Sequence, residues 1–182
     1  MSSFRFGLGH VALDLVATVA DRPGRHVERL IEPTDLDRWL LEAGLVDAGP
    51  AQPPATRRQL TEARKLREAV YGILTAARAA SAPEEADVST LNTFARRQIA
   101  APQVGSSLTL TKVSNNPVAT ALAEIARASV ELVTGPELSR LRQCLGCSLL
   151  FIDRSRPGRR RWCSMDRCGN RSKTARYRAA RA

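Results

Sequence analysis

The chain has 182 residues, 43% hydrophobic and 25% charged, which are ordinary globular proportions that exclude global disorder. Its longest apolar run, Val11 to Ala20, contains Asp14, is far too short to span a bilayer, and is followed by no small-residue cleavage site. A membrane or secreted protein is therefore not expected, and the expected compartment is the cytoplasm. The net charge of +10 is unevenly placed: residues 140–182 hold thirteen basic and two acidic side chains, the first 139 fifteen basic and sixteen acidic ones. Such asymmetry points to a polyanion-binding end on a neutral body, with nucleic acid as the first candidate.

In chain order, the first twenty residues admit a short strand followed by a helix. Within them His10 and Asp14 lie one helical turn apart and could share a face. That pair is a candidate ligand-binding constellation, against the commoner reading of a structural contact. His26 to Ile31 has the partial alternation of a strand. Thr34 and Asp37 resemble a capping box before Leu36, Trp39 and Leu40, and Gly44 stands where a helix stop belongs. A long helix is predicted from Thr56 to Ala80, with Leu60, Ala63, Leu66, Val70, Ile73, Leu74 and Ala77 on one face. Its arginines, Arg64 and Arg67 among them, are either a solvated face or the border of an anion pocket. Ser81, Pro83 and Glu84 start another helix through Phe94; Ser107 to Val113 alternates like a strand; Asn116 and Pro117 open a fourth helix to Val133.

All four cysteines fall in the basic quarter: Cys144-x2-Cys147, then Cys163-x4-Cys168. Paired couplets with none left over are the signature of a four-thiolate zinc site, with a redox pair or disulfides as competing readings. Between them Leu149 to Ile152 reads as a strand, Pro157 and Gly158 as a turn, and Arg159 to Cys163 as a returning strand, with Trp162 able to cover the metal. A helix capped by Asp166 follows. The expected fold is α+β: a helix-rich domain with a few strands over residues 1–138, then a small treble-clef-like four-cysteine zinc finger (knuckle, β-hairpin, helix) over residues 139–182. One structural Zn2+ per chain is expected, and four protein ligands leave no open position for catalysis. On a helical wheel Arg167, Arg171, Arg178 and Arg181 form one basic stripe, with Lys173 pointing elsewhere. Together with Arg154, Arg156, Arg159, Arg160 and Arg161 they are the candidate nucleic-acid contacts, against the bland reading of a solvated face.

Arg161-Trp162-Cys163 and the tetrapeptide Cys168-Gly169-Asn170-Arg171 complete a pattern that resembles the CGNR zinc fingers. Gly9 to Thr18, and Leu36-x2-Trp39-Leu40 followed by Ala43-Gly44-Leu45, resemble the ABATE domain that precedes such fingers. The resemblance implies zinc ligands at Cys144, Cys147, Cys163 and Cys168 and a stress-induced bacterial transcription regulator whose finger binds DNA. Where the family often has Asn before the Thr of its first motif, Ala17 stands here, so a polar role in ligand recognition does not carry over to that position.

No nucleophile motif, phosphate-cradling glycine loop or HExxH is present, and an enzyme is not expected. The leading expectation is a regulator binding duplex DNA, whose body senses a small-molecule effector or mediates assembly. An RNA-binding zinc module and a zinc adaptor for an acidic protein surface are the alternatives. A single finger buries little area on DNA, so a homodimer or partner protein is expected for specific recognition.

Overall fold

The computed structural model describes residues 4–47, 53–105 and 108–179, with side chains through residue 174. In chain order its elements are α1 (Val11–Val16), β1 (Val19–Ala20), β2 (Val27–Glu28), α2 (Pro33–Glu42), α3 (Arg57–Arg78), α4 (Glu85–Ala95), β3 (Ala101–Val104), β4 (Leu110–Val113), α5 (Pro117–Thr134), β5 (Leu141–Gln143), β6 (Leu150–Ile152) and α6 (Asn170–Ala179). The strands form three antiparallel pairs, β1 with β2, β3 with β4 and β5 with β6. The α+β, helix-rich expectation describes the chain.

Two compact units result, one from Leu30–Thr134 and one from the two ends of the chain, through Arg29 and from Gly135 onward. In the first, α3, α4 and α5 pack on one another, with α2 against α3 and α5. The apolar spacing of α3 places Leu60, Ala63, Leu66, Val70 and Leu74 in the core, where Trp39, Leu122 and Ile125 are fully buried. Thr56 caps α3 by accepting from Gln59 N while Gln59 Oε1 accepts from Thr56 N, so the predicted start is the real one.

Three local expectations are corrected. The start of α2 lies two residues earlier than Thr34 and Asp37 suggest: Pro33 opens it, and the Asp35 carboxylate accepts from the amides of Ile31 and Glu32. The strand expected at Ser107 to Val113 is Leu110–Val113, paired with Ala101–Val104, whose Pro102 hides its strand character. Its alternation does not signal a buried face, for Val104 is 78% and Leu110 73% exposed. Of the strand expected at His26 to Ile31, only Val27–Glu28 pairs.

The second unit takes in both ends of the chain, through Arg29 and from Gly135 onward. Leu8 O accepts from Ile152 N at 2.8 Å, which adds the N-terminal segment to the outer edge of β6, and α1 packs against that strand. Phe4, Leu8, Leu13 and Leu15 are buried in this unit, as are Leu149, Leu150, Phe151 and Ile152. The hairpin also differs from the expected one. Strand β6 pairs with β5, which precedes the knuckle, and Arg159 to Cys163 does not form a strand. The knuckle is thus the tip of the hairpin.

Candidate metal centre

The sulfur atoms of Cys144, Cys147, Cys163 and Cys168 all lie within 4.8 Å of one another. Cys147 and Cys163 are 3.6 Å apart and Cys163 and Cys168 3.9 Å. A tetrahedron with Zn–S near 2.3 Å has S···S edges of about 3.8 Å, so the cluster has zinc dimensions. Each ligand is set by backbone. Cys144 N donates to Leu149 O and Ser148 N to Cys144 O, closing the knuckle. Leu145 N donates to Arg161 O, fixing the segment that brings Cys163. Cys168 N and Gly169 N both donate to Ser164 O in a single wide turn of the π type, Met165–Gly169, that leads into α6. Gly146 packs closely on the last ligand: a Cβ there would meet the Cys168 Cβ at 3.2 Å.

The electrostatics of the thiols fit the same reading. The hydrogen bond from Cys163 pulls Cys147 down to about 5, well below the ordinary thiol range. The same bond and burial push Cys163 up, and burial foremost pushes Cys168 up. Cys163 and Cys168 thus hold their protons until a cation arrives, and a bound divalent metal deprotonates its thiol ligands outright. The four cysteines are the ligands of one structural zinc, and none is in a disulfide. The Arg171 guanidinium lies 3.6 Å from Cys168 Sγ and 3.4 Å from Gly146 O, a charge held against the metal's sulfur and the knuckle carbonyl.

Residues 140–181 match the CGNR zinc finger, and residues 9–136 match the model of a family described as "ABATE: Putative stress-induced transcription regulator". The chain belongs to the ABATE family. No match is found among curated proteins. Both matches are to regulator and zinc-finger families rather than enzyme families. Among the described residues no helix is long and apolar enough to cross a membrane.

Around this CGNR centre, the arginines expected on the finger divide. Arg154, Arg156, Arg159, Arg160 and Arg161 are exposed on the loop after β6. Arg154 pairs with Glu137 at 3.1 Å, and Arg161 lies over the Trp162 ring at 5.4 Å. Arg160 is over Phe151 at 5.5 Å and donates to Cys163 O. Phe151 itself is buried, so it offers no stacking platform. Arg167, Arg171 and Lys173 are exposed, while the side chains of Arg178 and Arg181 lie outside the described residues. The wide turn at Met165–Gly169 also means that a uniform 100° wheel through Arg167 and Arg171 does not describe their angle.

Sequence reasoning missed the residue that shapes the basic loop. Asp153 is fully buried, and its carboxylate accepts from Ser155 N, Ser155 Oγ and Arg160 N at 2.9, 2.6 and 2.7 Å. Burial would raise its pKa, but those donors and the Arg160 charge hold it down at about 2. Only its position next to a predicted strand end hinted at this, because carboxylates that accept loop amides have no fixed spacing. The four candidates for ligand binding divide between the two units. His10 caps α1, its Nδ1 accepting from Ala12 N, and Asp14 Oδ1 accepts from Leu8 N at 3.0 Å. In the helical unit Arg64 donates to the carbonyls of Leu30 and Ile31, and Arg67 is buried with its Nε 2.7 Å from Glu68.

Proposed function

We propose that this ABATE-family chain is a cytoplasmic, non-enzymatic transcription regulator that grips duplex DNA with the arginine loop and α6 of its zinc finger. What carries the reading is the loop from Arg154 to Arg161, closed by the buried Asp153 carboxylate next to the zinc cluster. Arg156 and Arg159 on it are exposed and have no ion-pair partner among the described residues. Guanidiniums left unpaired on a loop anchored in this way are suited to neutralising phosphates, and zinc supplies the rigidity that so short a segment lacks. A small-molecule effector acting on the helical unit, and a homodimer or partner that extends the contact area, complete the proposal.

The test is the salt dependence of binding by the zinc-loaded full chain. Each phosphate contact contributes a slope of about −0.9 in log K against log salt. Arg156→Ala and Arg159→Ala should each flatten the slope by about that amount, on cognate and random duplexes alike. Equal or tighter binding of single-stranded RNA, or of an acidic peptide, would overturn the duplex reading.

A further inference from the structure

The hairpin of β3 and β4, in the helical unit, has no buried face. Every residue of β3 is exposed, and on β4 only Thr111 is partly covered. Among the described residues the two strands form a sheet of their own, so each has one side without a neighbouring strand. A two-stranded ribbon alone is marginal in water, and a third strand or a packed face is what makes one stable. Three of its side chains are nevertheless apolar and solvent-facing: Val104, Leu110 and Val113. Apolar surface gathered in this way marks an interaction site.

The register tells the two open sides apart. Gly105 N donates to Thr109 O, and Val104 stands opposite Leu110 and Gln103 opposite Thr111, so the ladder bonds fall on alternate pairs. Ala101, Gln103, Thr111 and Val113 therefore turn their backbone groups inward, while Pro102, Val104, Leu110 and Lys112 turn theirs outward. Pro102 has no N–H to give, which blunts the outer side of β3. On β4 the N–H and C=O of both Leu110 and Lys112 face outward, an intact template for another strand. A lysine often guards such an edge, but here the Lys112 ammonium is paired with Glu124 of α5. From Ala101 to Val113 the hairpin has no other charged residue. On a chain of net charge +10, this neutral edge is where two copies meet without repulsion.

We infer that the outer edge of β4 pairs antiparallel with the same edge of a second copy of this chain. The surface supplies the homodimer named above, and it rests on that reading only for its role in DNA binding. With the two-fold axis at Thr111, Leu110 of each copy lies opposite Lys112 of the other, and such pairs exchange both of their backbone bonds. The two ammonium groups then do not face each other, and each Leu110 covers the alkyl stem of the Lys112 across from it. Thr111 meets Thr111, a cross-strand pair that sheets favour. The joined sheet runs β3, β4, β4, β3, and both of its outer sides are the ones blunted by Pro102. Pairing therefore closes at two copies.

Sedimentation equilibrium of the zinc-loaded full chain without DNA tests this, with the melting temperature showing that each variant folds. The parent should dimerise, and equally well at low and high salt, because the edge is neutral. Leu110→Lys puts a cation opposite Lys112 of the other copy and should weaken the dimer about tenfold. Leu110→Glu puts a carboxylate at the same place and should leave the dimer as tight as the parent's. Gln103→Lys adds a charge to β3, away from the pairing edge, and is the neutral control. A parent that stays monomeric would overturn the surface, and would leave the DNA reading standing if the salt slope of duplex binding is unchanged. A dimer that binds no duplex would do the reverse. A dimer indifferent to Leu110→Lys, or lost equally with Leu110→Glu, would overturn the strand pairing.

Discussion

Gly9 lies flat against Ile152: a Cβ on Gly9 would come within 2.9 Å of the Ile152 Cβ and 3.2 Å of its carbonyl oxygen. At φ +95° the position is also one that residues with a side chain rarely adopt. The contact joins the start of the chain to the strand between the zinc couplets. Gly9→Ala should therefore destabilise the zinc-bearing unit by about 3 kcal/mol, from overpacking plus backbone strain. Gly7 has φ +78° but nothing within 4 Å, so Gly7→Ala should cost about 1 kcal/mol, strain alone. Denaturation of both zinc-loaded variants measures the difference; equal costs would mean that Ile152 yields.

Zinc removal should reach beyond the finger. Because Leu8 O accepts from Ile152 N, loss of the metal should loosen α1 together with β6 and leave α2 to α5 folded. Hydrogen exchange under chelation checks this: the amides of Leu13 and Ala17 should lose protection along with that of Ile152, while those of α3 keep theirs. Protection of α1 that survives chelation would show that α1 is stable without the finger.

Arg171 is engaged by the metal centre before any phosphate arrives. Arg171→Ala should lower zinc affinity about tenfold, as loss of groups that support metal ligands commonly does. Competition with a chromogenic chelator reads this directly. An unchanged zinc affinity with a flatter DNA salt slope would instead make Arg171 a phosphate contact only.

Burial raises the pKa of Asp14 to about 6, against the opposing hydrogen bonds from the amides of Leu8 and Gly7. A carboxyl whose folded pKa exceeds its unfolded value of 3.8 holds its proton more tightly when folded. Its contribution is full below pH 3.8 and is lost as pH rises through about 6. Asp14→Asn removes the desolvated charge and keeps an oxygen for Leu8 N. With zinc in excess, the melting temperature of the variant minus that of the parent should be larger at pH 8 than at pH 5. A gap that does not change with pH would show that Asp14 stays ionised throughout.

The four-thiolate zinc site, the basic end and the faces of α3 and α5 were legible in the residues themselves. Each is a local property: ligand spacing, summed charge, or apolar residues three and four apart such as Leu60, Ala63 and Leu66. Tertiary structure decided the rest. That β6 pairs with β5, rather than with the segment after Gly158, depends on which edge of Leu150–Ile152 the knuckle leaves open. The joining of Gly9 to Ile152 spans most of the chain, and no spacing rule reaches that far. Asp153 could not be told from any other loop acid until folding surrounded it with the amides of Ser155 and Arg160.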